Sequence, residues 1–310
     1  MQSRYTCQHR PRHSMGDSHR PLLSRRRPTA IVALFHAEGI CQMQVIGLCR
    51  FSYPALGGFQ VEHDSIEARI AFLYNDARME ERFRLFEAVA LPCLREQTDP
   101  DFELIIVIGD SLPAHHEARL RNLVRDIPQI RIETHPPRKQ REVMKEILNA
   151  ARRDPDAPCL QFRYDDDDAV SVDFVERLRQ TVDDCPGLMD RNRAVAVDFN
   201  MGYVAEFGAE GISATDIHRP YYVAALGMYV RGGAPVTIMN FAHEKILRFM
   251  PTVTLSDAPM FVRGHHSSND SRQKPVKPVP VTPLNLEQQA EFEARFALRD
   301  AVVRQVFSAP

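Results

Sequence analysis

Leu104-Ile105-Ile106-Val107-Ile108 is apolar at every position, so an extended chain there needs cover on both faces. That is the situation of a central strand in a parallel sheet with helices packed on each side. The pattern around it repeats the demand. Val45 to Cys49 reads as a first strand, Phe102 to Ile108 as a second, Ile130-Arg131-Ile132 as a short third and Cys159 to Tyr164 as a fourth. Between them lie stretches of helical period: Arg82 to Arg95 with Phe83, Phe86, Ala90 and Leu94 on one face, Pro113 to Ile127 with Leu120, Leu123 and Val124, and Lys139 to Arg152 with Val143, Ile147 and Ala151. Ser171 as N-cap, Asp173 in the first turn and Phe174, Leu178 and Val182 at intervals of four signal another helix. The expected class is α/β, a mostly parallel sheet with crossover helices.

After Gly187 the alternation gives way to short strand-like pieces, such as Ala194 to Asn200 and Tyr221 to Val230. Asn269 to Pro283 is polar and dense in Pro and Lys, and Leu284 to Phe307 returns to helical period through Phe292, Phe296 and Val303. The expected organisation is a leader over 1–42, one α/β domain over 43–268 with a smaller second half, and a linker with a C-terminal helix over 269–310.

The leader holds seven Arg against one Asp and one Glu, so the formal net charge of −2 leaves the body acidic and speaks against nucleic acid as a partner. Its composition suggests a poorly ordered segment, translated upstream of a start at Met43; Ser24-Arg25-Arg26-Arg27 before Ala30 to Phe35 also resembles a twin-arginine export signal, with an apolar run that meets Glu38 early. No window offers the 18 or so apolar residues that cross a bilayer. Six cysteines without a C-x-x-C pair suggest a reducing, cytoplasmic setting, with peripheral association at the inner membrane as a further possibility.

Tyr164 is followed by Asp165-Asp166-Asp167-Asp168 at the end of the fourth strand. Like charges about 4 Å apart repel by roughly 4 kcal/mol at an effective dielectric of 20, so the run needs a cation or open water. On an extended chain Asp165 and Asp167 point to one face and Asp166 and Asp168 to the other. Carboxylate oxygens suit Mg2+ or Mn2+, and the crevice beyond the carboxyl ends of the strands is where open α/β sheets bind ligands.

Asp165 to Phe174 resembles the D-x-D-D-x-x-x-P-D-F/L segment of nucleotide-sugar glycosyltransferases of the GT-A fold, with Val172 in place of the proline. Roughly 60 residues upstream, Gln97-Thr98-Asp99-Pro100-Asp101-Phe102-Glu103-Leu104-Ile105-Ile106-Val107 is similar to the same family's Q-T-x-x-D-F-E-I-I-V-V block. Within that superfamily the chain looks closest to the bacterial rhamnosyltransferase group, on Arg50-Phe51-Ser52 after the first strand and on Arg263 to Ser271, similar to a closing H-G-x-N-x-S block but reading His266-Ser267-Ser268-Asn269.

The resemblance implies a UDP- or dTDP-linked sugar donor over the first half, its diphosphate on a metal held by Asp165 and Asp167, and a glycan or lipid-linked acceptor over the second half. His266 is implied as a further metal ligand, against the plain reading of a loop histidine. Asp110 lies near the nucleoside or caps a turn, and Arg50 and Arg141 meet phosphate or base or are solvated surface. Relatives invert with a carboxylate base near a helix start in the second half, a place that Glu244 fits, with His243 its rival and Asp257 a third choice. Two other readings stay open: a haloacid-dehalogenase-like phosphatase, which also places D-x-D after a strand but wants Thr or Val at Ala169, and a carbohydrate-binding protein without turnover. There is no P-loop, G-x-S-x-G or H-E-x-x-H.

Overall fold

Residues 42–57, 63–265 and 279–309 are described by the computed structural model. The expectations for residues 1–41, for His266 and for most of the Pro/Lys linker lie outside them. The first half runs β1 (Gln44–Arg50), α1 (Ile66–Leu73), α2 (Asp76–Leu85), α3 (Leu91–Arg95), β2 (Glu103–Gly109), α4 (Ala114–Val124), β3 (Ile130–His135), α5 (Gln140–Ala150), β4 (Cys159–Tyr164), β5 (Ala169–Val170) and α6 (Phe174–Asp183). The second half adds α7 (Pro186–Arg191), β6 (Ala194–Phe199), β7 (Met201–Gly208), β8 (Gly211–His218), β9 (Leu226–Val230), β10 (Thr252–Leu255), β11 (Phe261–Gly264), β12 (Thr282–Pro283), α8 (Leu286–Phe296) and α9 (Asp300–Ser308).

Seven strands form the main sheet in the order β10-β6-β9-β4-β1-β2-β3. β1, β2, β3 and β4 run parallel, and β9 runs antiparallel between β4 and β6. Alternate residues of the apolar strands feed two cores, as a doubly covered sheet requires. Leu104, Ile106 and Ile108 face one side with Phe83 and Leu178, whereas Ile105 and Val107 face the other with Val143, Ile147 and Leu148 of α5. The second sheet, β12-β8-β7-β11-β5, is built on the β7–β8 hairpin.

Three expectations change. The helix expected over Arg82 to Arg95 begins at Asp76 and passes through a π-helical turn, Phe86–Ala90, into α3. Ser171 is not the cap of α6: Asp173 holds that position, and the Ser171 hydroxyl donates to its carboxylate. The single C-terminal helix is two, broken where Ala297 takes a left-handed φ of 55°. Both dock on the second sheet, Phe292 with its ring centroid 4.8 Å from Tyr203 and Asp300 accepting from the Ile212 N–H at 2.8 Å.

The two sequence blocks that carry the resemblance meet in space. Gln97 Nε2 donates to the Ser171 carbonyl at 2.8 Å, its Oε1 accepts from the Val175 N–H at 3.0 Å, and the Thr98 N–H donates to the Val172 carbonyl at 2.7 Å. The amide side chain, 8% exposed, thus pins the segment that follows the acidic run.

Candidate functional site

Between β4 and β5 the chain leaves the main sheet for the second one, and the four aspartates make that crossing. The backbone turns here, with the Asp168 N–H donating to the Asp165 carbonyl at 3.3 Å. Strand alternation therefore fails at Asp168. The turn swings its carboxylate round to join Asp165 and Asp167, the ligand atoms of all three lying within 4.8 Å of one another, and Asp166 alone departs. Tyr164 braces the turn from below, its hydroxyl oxygen 2.7 Å from the Ala90 carbonyl and 2.9 Å from that of Asp168.

Two buried guanidiniums supply much of the counter-charge that the run demands. Arg82, on α2, donates from Nε to Asp166 Oδ2 at 3.0 Å and reaches Asp167 Oδ2 at 3.4 Å. Arg263, on β11, donates to Asp165 Oδ2 at 2.8 Å and Asp168 Oδ2 at 2.7 Å. Gly264 completes the cradle with its N–H on Asp168 Oδ1 at 3.0 Å. A Cβ there would meet the Asp167 carbonyl at 2.3 Å, so only glycine lets β11 come this close. Burial opposes the Arg263 charge, yet Asp168, Asp167 and Asp165 hold its pKa well above the ordinary guanidinium value.

Beside the turn a crevice opens at the carboxyl ends of β1 and β4, lined by Leu48, Arg50, Gln140, Met144, Arg163, Asp165 and Met239. Leu48 stands opposite Arg163 in the β1–β4 register, so Arg50 and Arg163 emerge on the same face, toward α5. Burial and the charges of Arg50, Arg141 and Arg263 depress the Arg163 guanidinium, against the pull of Asp165. A half-buried site with several cations and one half-exposed carboxylate attracts an anion, above all one that brings its own divalent ion.

Met239 brings the segment after β9 to the crevice, and four residues further on His243 opens a short 3-10 turn, His243–Arg248. Its Nδ1 lies 2.7 Å from the Tyr221 carbonyl, which can only accept, so Nδ1 carries the proton and Nε2 keeps a lone pair. Tyr221 has a left-handed φ of 58° and is held there by its N–H on Asp198 Oδ1 at 2.8 Å. Burial pushes the His243 imidazole down, as does Arg163, while the Tyr221 hydrogen bond, Glu244 and Asp165 oppose this. Complete burial likewise raises the Asp198 carboxyl.

The other sequence-derived candidates are distributed as follows. Glu244 is exposed in the first turn after His243. Asp257 is exposed and accepts both Arg177 contacts at 2.9 Å, which lowers its pKa. Asp110 is exposed at the turn after β2, and Arg141 is exposed in the first turn of α5, near enough for its charge to bear on Arg163. Sequence reasoning missed Arg82, Arg163, Arg263 and the convergence of Asp168. Arg163 and Arg263 carried a signal, each being the one charge inside a largely buried strand.

The donor set suits a hard divalent ion. It is all oxygen, Asp168 has both oxygens engaged by Arg263 and Gly264, and Asp165 lines the crevice with its side chain 38% exposed. Asp165 and Asp167 are therefore the residues fit to hold it, with Asp168 as their anchor.

A mostly parallel, Rossmann-like sheet of GT-A type, with its crevice beyond the strand ends and an acidic turn at the mouth, defines the class of the protein. Over residues 44–278, more than half of the chain, the sequence matches the family described as "Putative rhamnosyl transferase", and the protein belongs to that family. No curated protein matches the sequence. Among solved structures, Staphylococcus aureus TarS 1–349 in complex with UDP is similar at 11% identity and a TM-score of 0.39, over 72% of this chain and 61% of that one. TarS 1–349 with UDP-GlcNAc gives 12% and 0.37, over 74% and 60%. A "putative nucleotide-diphospho-sugar transferase" from Desulfovibrio desulfuricans G20 gives 13% and 0.38, over 86% and 99%. The chain spans about three-fifths of TarS 1–349. Among the described residues no helix is long and apolar enough to cross a membrane.

Proposed function

We propose that the protein transfers a sugar, rhamnose in the family's own description, from a nucleoside diphosphate to a hydroxyl of a glycan or lipid-linked acceptor, with inversion at the anomeric carbon. The observation that carries this reading is the junction of an arginine-lined crevice with the Asp165–Asp168 turn at the ends of β1 and β4. Family membership favours transfer over the phosphatase and the binding-only readings.

Arg50 and Arg163 pair with the diphosphate, and Arg141 and Asp110 stand at the edge where the nucleoside would lie. Asp165 and Asp167 hold Mg2+ or Mn2+, which when bound neutralises charge on the leaving diphosphate. Arg82 and Arg263 keep the carboxylates at fixed positions before any ligand arrives, so little reorganisation accompanies binding. His243 is the base. Its Nδ1–H is committed to the Tyr221 carbonyl, its depressed pKa keeps the ring neutral near pH 7, and Nε2 takes the acceptor hydroxyl's proton as the oxygen attacks. Glu244, the first choice on sequence grounds, remains the rival.

A thermal-shift panel of UDP, dTDP and their sugars, each with and without Mn2+, tests the donor reading. Stabilisation that requires both nucleotide and Mn2+, and that Asp165→Ala abolishes, is expected. Equal stabilisation of wild type and Asp165→Ala would overturn it.

A further inference from the structure

Outside the crevice, the N-terminal ends of α2 and α4 bring together Asp76, His115 and His116, their ligand atoms all within 4.8 Å of one another. We propose that these three residues form a second metal site, for zinc or a similar borderline transition ion, that ties α2 to α4.

The key observation is His116. The residue is 8% exposed, and its Nε2 is buried without a hydrogen-bond partner among the described residues. Asp76 Oδ1 lies 3.7 Å from that nitrogen, too far for a hydrogen bond. An ion about 2.1 Å from each atom, the usual zinc distance, would bridge the gap at an angle of about 120°, within the range of a distorted tetrahedral site. The two imidazole centroids lie 3.9 Å apart, which gives the third ligand. Phe83 packs against the His116 ring with centroids 5.7 Å apart and holds its orientation. Asp76 is 94% exposed at its side chain and His115 is exposed, so an ion can enter from solvent and a water can fill the fourth position.

The donor set separates this site from the acidic turn. Two imidazoles with one carboxylate select zinc, cobalt or nickel, whereas the all-oxygen turn selects magnesium or manganese. The consequence is mechanical. α2 carries both Asp76 and Arg82, so an ion at its N-terminal end would steady the helix whose guanidinium fixes Asp166 and Asp167.

Cobalt titration of the full chain, followed by visible absorption, tests the site, because imidazole-ligated four-coordinate Co2+ absorbs strongly and Zn2+ displaces it. One saturable equivalent is expected, unchanged in Asp165→Asn and weakened at least tenfold in His115→Ala and Asp76→Asn. Both of the latter change exposed residues, so the fold is retained and circular dichroism checks it. The proposal fails if the wild type shows no such absorption. It fails equally if His115→Ala and Asp76→Asn titrate like wild type, which would assign the ion to other imidazoles such as His9, His13 and His19.

Discussion

The acidic turn and the segment that carries His243 face the same crevice but are held by opposite means. The turn is fixed by buried charge: Arg82 on Asp166 and Asp167, Arg263 on Asp165 and Asp168, and the Gly264 N–H on Asp168. The segment from Tyr221 to Arg248 makes no ion pair among the described residues. It is held without charge: β9 pairs in the main sheet, Ile238 and Ile246 are buried in the core, and His243 itself is fixed by the Asp198–Tyr221 and Tyr221–His243 hydrogen bonds. Damage to the first wall should therefore appear as lost stability, and damage to the second as lost rate with the fold intact.

Arg82→Ala should show the largest effect. Its side chain is 4% exposed against 2% for Asp166, and removal of one partner leaves a buried carboxylate uncompensated, which costs about 3–5 kcal/mol. Urea unfolding measures it. A loss below about 1 kcal/mol would mean that water or a cation already serves the aspartates, and the contrast between the walls would collapse.

His243→Gln should leave the urea midpoint near that of wild type while lowering kcat by roughly 10²–10⁴, the usual contribution of a positioned base. The same residue sets a pH dependence. Its pKa is lowered in the folded protein, so the ring stays neutral and competent below the ordinary value of 6.5, and kcat/KM, which reports the free enzyme, should fall only in more acid solution. The linkage has the same sign. Below pH 6.5 the unfolded chain takes up protons that folded His243 refuses, so stability declines as pH falls. A rate profile whose acid limb is centred above 6.5 would remove His243 from the role.

The difference between the walls also explains what could be read from sequence. β2 was legible because a strand buried on both faces leaves an unbroken apolar run, and the Gln97-Thr98 block was legible as a motif whose physical purpose, the clamp on Ser171 to Val175, only the fold reveals. The strand-like pieces at Ala194 to Asn200 and Tyr221 to Val230 are β6 and β9, whereas the β7–β8 hairpin between them went unread, since its half-exposed residues mix polar and apolar without a clean period. Arg82 had no signal at all. An arginine on a helix reads as solvated surface until the tertiary fold sets it under a carboxylate. Asp168 was assigned to the wrong face because a four-residue turn replaces the extended chain that the alternation rule assumes.

Asp198 extends the second wall one step further from the chemistry. It positions His243 through Tyr221, whose left-handed backbone costs of order 1–3 kcal/mol and persists only where its surroundings impose it. Asp198→Ala should lower kcat about tenfold with KM nearly unchanged, by analogy with other groups that orient a catalytic imidazole. Asp198→Asn, which keeps an acceptor for the Tyr221 N–H, should restore most of the rate. Equal losses in both variants would point to general disruption of the core at β6 instead of orientation of the ring.

Glu244→Gln should have the smallest effect, and it is the most direct way to reverse the comparison. The carboxylate is exposed, one residue beyond His243, with no hydrogen bond among the described residues to aim it. A general base gains its advantage from a fixed approach to the acceptor hydroxyl, and an unanchored group in water has none. Replacement by the isosteric amide should change the transfer rate by no more than about twofold, the ±0.5 kcal/mol typical of surface positions. If instead Glu244→Gln loses as much rate as His243→Gln at unchanged stability, the base is the carboxylate, and the imidazole beside it serves to hold the turn in place.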